Sequence, residues 1–136
     1  MVTFGSKAET LRALEAVLTT ARVLPQICLR TGGEEYEGLL AQVREMGWQD
    51  RPLIVRSSAR NEDTAEGSNA GKFLSIPDVQ GEAAILRAVE QVADAMGDSP
   101  DNQIFLQPYL AHVELCGVAF TADPNTGGNY YILNYD

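Results

Sequence analysis

The sequence predicts an α+β fold, with helices gathered in residues 1–100 and strands in residues 101–136. Three observations carry that prediction. Apolar residues recur at helical spacing in three separate stretches before Gly97. Short apolar runs bounded by turn residues fit strands at Leu53 to Ser57 and around Phe73. After residue 100 the pattern turns to strand-like segments that follow one another, separated by polar or glycine-rich turns.

Ser6 opens the first helix, and Glu9, at the capping-box spacing, completes its N-terminal signature. Leu11, Leu14, Val17 and Leu18 then share one helical face. Pro25 interrupts, and Gln26 to Arg30 reads as a short strand. Gly32 and Gly33 lead into a second helix with Tyr36, Leu39, Leu40 and Val43 as its buried stripe and Gly47 as its stop. Leu53 to Ser57 follows a proline and reads as a buried strand. Residues 58–71 are polar, charged and small without apolar periodicity, which predicts a loop. Phe73, Leu74 and Ile76 resume a strand that Pro77 and Asp78 end. Residues 81–96 form a third helix, aligning Ile85, Val89, Val92 and Met96 before Gly97. Ile104 to Tyr109, Val113 to Thr121 and Tyr130 to Tyr135 complete the strands. The expected division is an α+β unit over residues 1–100 and a strand-rich unit over residues 101–136. The last apolar strand has no element after it to cover it, which suggests a fragment, or else a terminal strand docked into a sheet. An unpaired edge there would also offer a route to a dimer.

A chain of 136 residues suits one domain or two tightly packed subdomains, and needs no disulfide or metal to fold. Acidic residues outnumber basic ones 19 to 10, for a net charge of −9. Such a chain repels polyphosphate backbones, so nucleic acid is not the expected partner, and any anionic ligand requires a local concentration of positive groups. Cys28 and Cys116 lack a metal-site spacing and read as buried free thiols. No apolar run is long enough to span a membrane and no signal-peptide pattern opens the chain, so the cytoplasm is the default location.

The densest chemistry lies in RPLIVRSSARNEDTAEGSNAGKF. Arg51, Arg56 and Arg60 cluster there, and Arg56 ends a buried strand, where a guanidinium requires an anion or a carboxylate to meet it. Its planar fork suits a phosphate held through two parallel hydrogen bonds. Ser57 and Ser58 add hydroxyls, and Gly67, Ser68, Ala70 and Gly71 let backbone N–H groups approach phosphate oxygens. An Arg56–Glu62 or Arg56–Asp63 ion pair holding the loop is the competing reading. A P-loop is excluded: the Gly67 to Gly71–Lys72 spacing is one residue short, and Phe73 stands where Ser or Thr is required.

The segment LIVRSSARNEDTAEGSNAGKFLSI resembles the stretch of phosphoenolpyruvate synthases and pyruvate phosphate dikinases that reads VRSSATAEDLPEASFAGQ followed by FLNV. FLQPYLAHVELCGVAFTADPNTG looks like that family's VQxMV and SGVxFTxDPxTG, and FGSKAETL is similar to its GGKGANL. The resemblance implies an ATP-grasp fold, incomplete at its C-terminus, in which ATP lies between two α+β subdomains and residues 101–136 begin the second. It assigns Lys7, Arg56 and Gly71 to the nucleotide phosphates, with Arg56 important for phosphoryl transfer, and Gln107 to the adenine side, while Ser57 joins the candidate nucleotide-binding residues as a hydroxyl donor at the strand end; a solvated Lys7 and a cross-strand hydrogen-bonding Gln107 are the competing readings. It further implies Mg²⁺ with ATP, transfer of phosphate to a histidine on a carrier domain, and a pyruvate/phosphoenolpyruvate domain as a later partner. Glucan-water dikinases, rifampicin phosphotransferases and a non-catalytic interaction module are the alternatives. The loop after Gly71 is shorter than the family's, and the family's metal carboxylates match nothing up to Asp136, so this chain alone is not expected to turn over ATP. Tyr109 and Phe120 read as core, His112 as a surface-turn residue, and Asp123 before Pro124 as a turn initiator.

Overall fold

A computed structural model describes residues 5–31, 35–59 and 73–136. Helix α1 spans Lys7–Glu15 and its start is the expected capping box: Ser6 Oγ accepts from the Glu9 amide while the Glu9 carboxylate accepts from the Ser6 amide. It stops earlier than its apolar stripe suggests. The amides of Val17 and Leu18 both donate to the Leu14 carbonyl, which tightens the last turn, and leaves both side chains exposed. Strand β1 is Ile27–Arg30 and helix α2 is Glu35–Glu45. Gly47, at φ 68°, closes α2 with a Schellman pair: its amide donates to Arg44 O, and the amide of buried Trp48 donates to Val43 O.

Strand β2 runs over Leu53–Ser58 and β3 over Ser75–Val79. Pro77 and Asp78 lie inside β3 instead of ending it. The register slips by one residue opposite Leu53 to Val55, and Asp78 takes φ 52°, so a bulge absorbs the proline on an edge strand, where a missing N–H is tolerated. Helix α3, Glu82–Met96, buries Ile85, Ala88, Val89 and Val92. Its C-terminal carbonyls, Met96 O and Gly97 O, accept from Asn102 Nδ2 at 3.3 and 3.0 Å, and this buried side chain sets the start of β4, Gln103–Pro108.

The four strands form one antiparallel sheet in the order β1-β4-β2-β3. β4 therefore pairs on both sides within the sheet that residues 27–79 build, although the expected division placed it in the second unit. Its sequence explains the position: Ile104, Phe105 and Leu106 are fully buried, as a strand covered on both faces requires. On one face, Ile27, Leu29, Leu53, Val55, Ile104 and Leu106 meet Leu39 and Val43 of α2 and the buried stripe of α3. Phe105, equally buried, stands outside that cluster because strand alternation turns it to the opposite face. α1 covers that second face through buried Ala8.

The remaining strands, β5 at Gly117–Phe120 and β6 at Ile132–Tyr135, pair only with each other. Phe120 is partly exposed and Tyr109 half-buried, so neither is the core residue expected, while His112 is exposed as anticipated. Cys116 is exposed and Cys28 half-buried, so the thiols are free but not both buried. No helix among the described residues is long and apolar enough to cross a membrane.

Candidate functional site

Strand parity gathers the site on the face that α1 covers. Arg56 of β2 pairs across with Phe105 of β4, which places both on that face. The Arg56 guanidinium carbon lies 5.3 Å from the centroid of the Phe105 ring. Arg56 Nε is buried without a hydrogen-bond partner, and among the described residues no carboxylate forms an ion pair with Arg56. A buried strand thus ends on a cation that is braced by an aromatic face and has no counter-charge among the described residues. Glu62 and Asp63, the partners expected from proximity in sequence, lie outside the described residues, as does Gly71.

Two residues beyond Arg56, Ser58 is fully buried on the same face, and its hydroxyl accepts from the Ala8 amide at 2.9 Å. Ser6 Oγ donates to Gln103 Oε1 at 2.8 Å, so the first turn of α1 is pinned to the adjacent ends of β2 and β4. Lys7, the first residue of α1, is exposed at this junction. Ser57 points the other way: it pairs with Ile104, is buried towards the core face, and its amide donates to Leu74 O. The structure therefore puts Arg56 and Ser58 on one face, with Lys7 exposed at the start of the helix that covers it, and sets Ser57 on the other.

Gln107 lies two residues along β4 from Phe105, on the same face. Its side chain is buried and donates through Nε2 to Leu24 O at 3.1 Å. The neighbouring strand repeats the device, since Gln26 Nε2 donates to Ala8 O at 2.8 Å. Both amides brace α1 and the segment leading into β1 against the sheet. Gln26 Oε1 is buried without a partner, the second such atom beside Arg56 Nε. Cys28 pairs with Phe105 on this face; burial pushes its thiol pKa up, while the nearby Arg12 guanidinium pulls it down. Arg12, of α1, thus lies beside Cys28 on the face of the sheet that also carries Arg56.

Sequence reasoning found Arg56 but missed Ser58 as a clamp for α1, Phe105 as the brace, and Gln26. Period-two alternation was the available signal: it pairs Arg56 with Ser58 and separates both from Ser57.

Asp123 is buried at the β5–β6 turn and fully engaged by its own loop. Its carboxylate accepts from Asn125 N at 2.9 Å, Thr126 Oγ1 at 2.6 Å and the Tyr130 hydroxyl at 2.5 Å. The Thr126 and Tyr130 hydroxyls, then the Asn125 amide, hold its pKa down at about 2. The expected turn initiator is therefore the centre of an Asx turn, closed by Gly127 at φ 71°. Among the described residues no three His, Cys, Asp or Glu side chains gather where they could hold a metal.

The family model described as pyruvate phosphate dikinase, AMP/ATP-binding domain, matches residues 19–99, more than half of the 136-residue chain. Comparison with curated proteins and with solved structures finds no match.

Proposed function

Since the chain belongs to the pyruvate phosphate dikinase AMP/ATP-binding domain family, we propose that it holds the phosphates of ATP at Arg56 for transfer to a histidine on a separate carrier domain, as in phosphoenolpyruvate synthase. The observation that carries the reading is Arg56 itself, a partly buried guanidinium stacked on Phe105 with a buried Nε that no described residue satisfies. A phosphate supplies the missing counter-charge and accepts the planar fork. Phe105 fixes the plane of the guanidinium before ligand arrives, so less side-chain freedom is lost on binding. Lys7 adds a second cation from α1, whose position Ser6, Ala8 and Ser58 determine.

Gln107 serves this site as a brace: its amide holds the backbone at Leu24 beside the strand assigned to the adenine. The described residues do not fit a protein-held Mg²⁺, because no acidic cluster stands near Arg56.

Calorimetric titration with ATP, AMP and inorganic phosphate tests the binding reading. ATP is expected to bind more tightly than phosphate, and equal weak binding of all three would refute an ATP site. For the transfer step, the full parent chain incubated with γ-labelled ATP should retain label that is lost in acid and kept in base, as phosphohistidine does. Acid-stable label would point to a different acceptor.

A further inference from the structure

Apolar packing does little to place α1. Among the described residues none of its side chains joins the core cluster, Ala8 is its one buried residue, and Leu11 and Leu14 are only half-buried. Its first turn is placed instead by polar side chains that reach it from β4, from β2 and from the residue leading into β1. Gln103 accepts from Ser6 Oγ at 2.8 Å, Ser58 accepts from the Ala8 amide at 2.9 Å, and Gln26 donates to the Ala8 carbonyl at 2.8 Å. Lys7 lies between the two pinned residues, so its backbone is fixed from the side of β2 and from the side of β1.

These contacts differ in what they do for stability. The Ala8 amide is one of the donors that a helix start leaves unsatisfied, and Ser58 supplies its acceptor. The Ala8 carbonyl has no such need. Within α1 it already accepts from the Arg12 amide, four residues on, so the bond from Gln26 is its second. Gln26 also buries its own Oε1, which no described residue satisfies. A second bond to a paired carbonyl gains little and a buried acceptor without a donor is a cost, so Gln26 adds little to folding. What its bond does secure is direction: it holds the turn against β1, where apolar contacts do not.

We propose that Gln26 is a positioning residue of the nucleotide site, holding the first turn of α1 through the Ala8 carbonyl so that Lys7 meets the phosphates that Arg56 clamps. The inference rests on the ATP reading above and adds to it a residue that touches no ligand. Without Gln26 the turn keeps its contacts to β4 and β2 and is free to tilt away from β1. Such a tilt moves Lys7 and leaves Arg56, which β2 and Phe105 hold, in place.

Calorimetric titration of the whole chain with ATP, arranged as double-mutant cycles, tests the proposal. Gln26→Met keeps the length of the side chain and removes both polar atoms. It should leave the ligand-free Tm within about 3 °C of the wild type and weaken ATP binding by roughly three- to tenfold. Lys7→Met should weaken binding by about tenfold or more. The loss caused by Gln26→Met should vanish when Lys7 is already replaced, and persist in full when Arg56→Met is the background. A residue that only supports the fold would lower affinity alike in both backgrounds. Equal losses in the two backgrounds, wild-type affinity in Gln26→Met, or a Gln26→Met protein that melts far lower or does not fold would each overturn the proposal. If the wild type itself binds no ATP, the nucleotide reading falls and this inference with it. If it binds ATP and Gln26 shows no link to Lys7, that reading stands and this inference alone is lost.

Discussion

Replacing Arg56 by Met separates a guanidinium that waits for a ligand from one that holds the fold together. In the free protein the substitution loses the stacking on Phe105, about 0.5–2 kcal/mol for such a pair. It also removes the buried Nε that has no partner, a donor whose unmet bond costs about 1–3 kcal/mol. Methionine keeps most of the apolar stem, so the terms nearly cancel and the ligand-free variant should stay within about 1 kcal/mol of the wild type. With ATP the balance changes. A charge-assisted hydrogen bond contributes about 1.5–3 kcal/mol, so affinity should fall by roughly 10–150-fold. At an ATP concentration of about 100 times the wild-type Kd, the ligand stabilises the wild type by about 2.7 kcal/mol; a 30-fold weaker variant keeps only about 0.9. For a chain of this size the corresponding rises in Tm are roughly 9 and 3 °C. Thermal unfolding of both proteins, each with and without ATP, measures all four quantities. If Arg56→Met without ligand melts more than about 10 °C lower and keeps the full ATP shift, Arg56 is a structural cation and the reasoning fails.

Three further outcomes follow from the same geometry. Ser58→Ala removes the acceptor for the buried Ala8 amide and should cost about 1–3 kcal/mol in urea unfolding, with weakened ATP binding as α1 loosens; loss of stability without any effect on ATP would detach α1 from the site. Asn102→Ala should destabilise by about 1–2 kcal/mol, because two carbonyls at the end of α3 lose their donor, and should leave ATP affinity unchanged. Asp123 has a folded pKa of about 2 against an ordinary 3.8, so its contribution is complete above pH 3.8 and disappears as the pH falls through about 2. Tyrosine absorbance should therefore report disruption of the Tyr130 contact in that window, and Asp123→Asn should remove the pH dependence without abolishing the ribbon.

Elements governed by local chemistry were legible in the sequence. The capping box at Ser6 and Glu9, the Gly47 stop and the apolar face of α3 depend on residues within one or two turns, and the structure follows them. The errors arose where a distant partner decides. Pro77 cannot end β3, because β3 lies at the sheet's edge and the proline's missing donor opposes no neighbour; that edge position is set by β4 inserting between β1 and β2. The division at residue 100 failed to anticipate β4 for the same reason. A strand that follows three helices in sequence looks like the start of something new, yet its unbroken burial belongs to the centre of the first sheet. The readings of Cys116 and Phe120 assumed that apolar neighbours imply burial, and the ribbon leaves both more open than that.

Arg56 shows the same divide within the site. Its importance is readable from one dimension, because a cation closing an apolar strand always needs an explanation. Its partner is not. Sequence proximity offers Glu62 and Asp63, which lie outside the described residues; the contact seen among the described ones is with Phe105, 49 positions along the chain (105 minus 56) and opposite Arg56 only through the β2–β4 register. The distinction changes the chemistry. A carboxylate partner would neutralise the guanidinium and make it a fold-holding group, costly to expose and of little use to a ligand. An aromatic partner fixes its plane without itself neutralising the charge. The same register turns Ser57 towards the core and gives Ser58 to α1, so the two hydroxyls that look interchangeable beside Arg56 do different things. What makes this strand end a plausible phosphate site is therefore the pairing of β2 with β4, and a one-residue slip in that pairing would move Arg56 off Phe105 and towards the core.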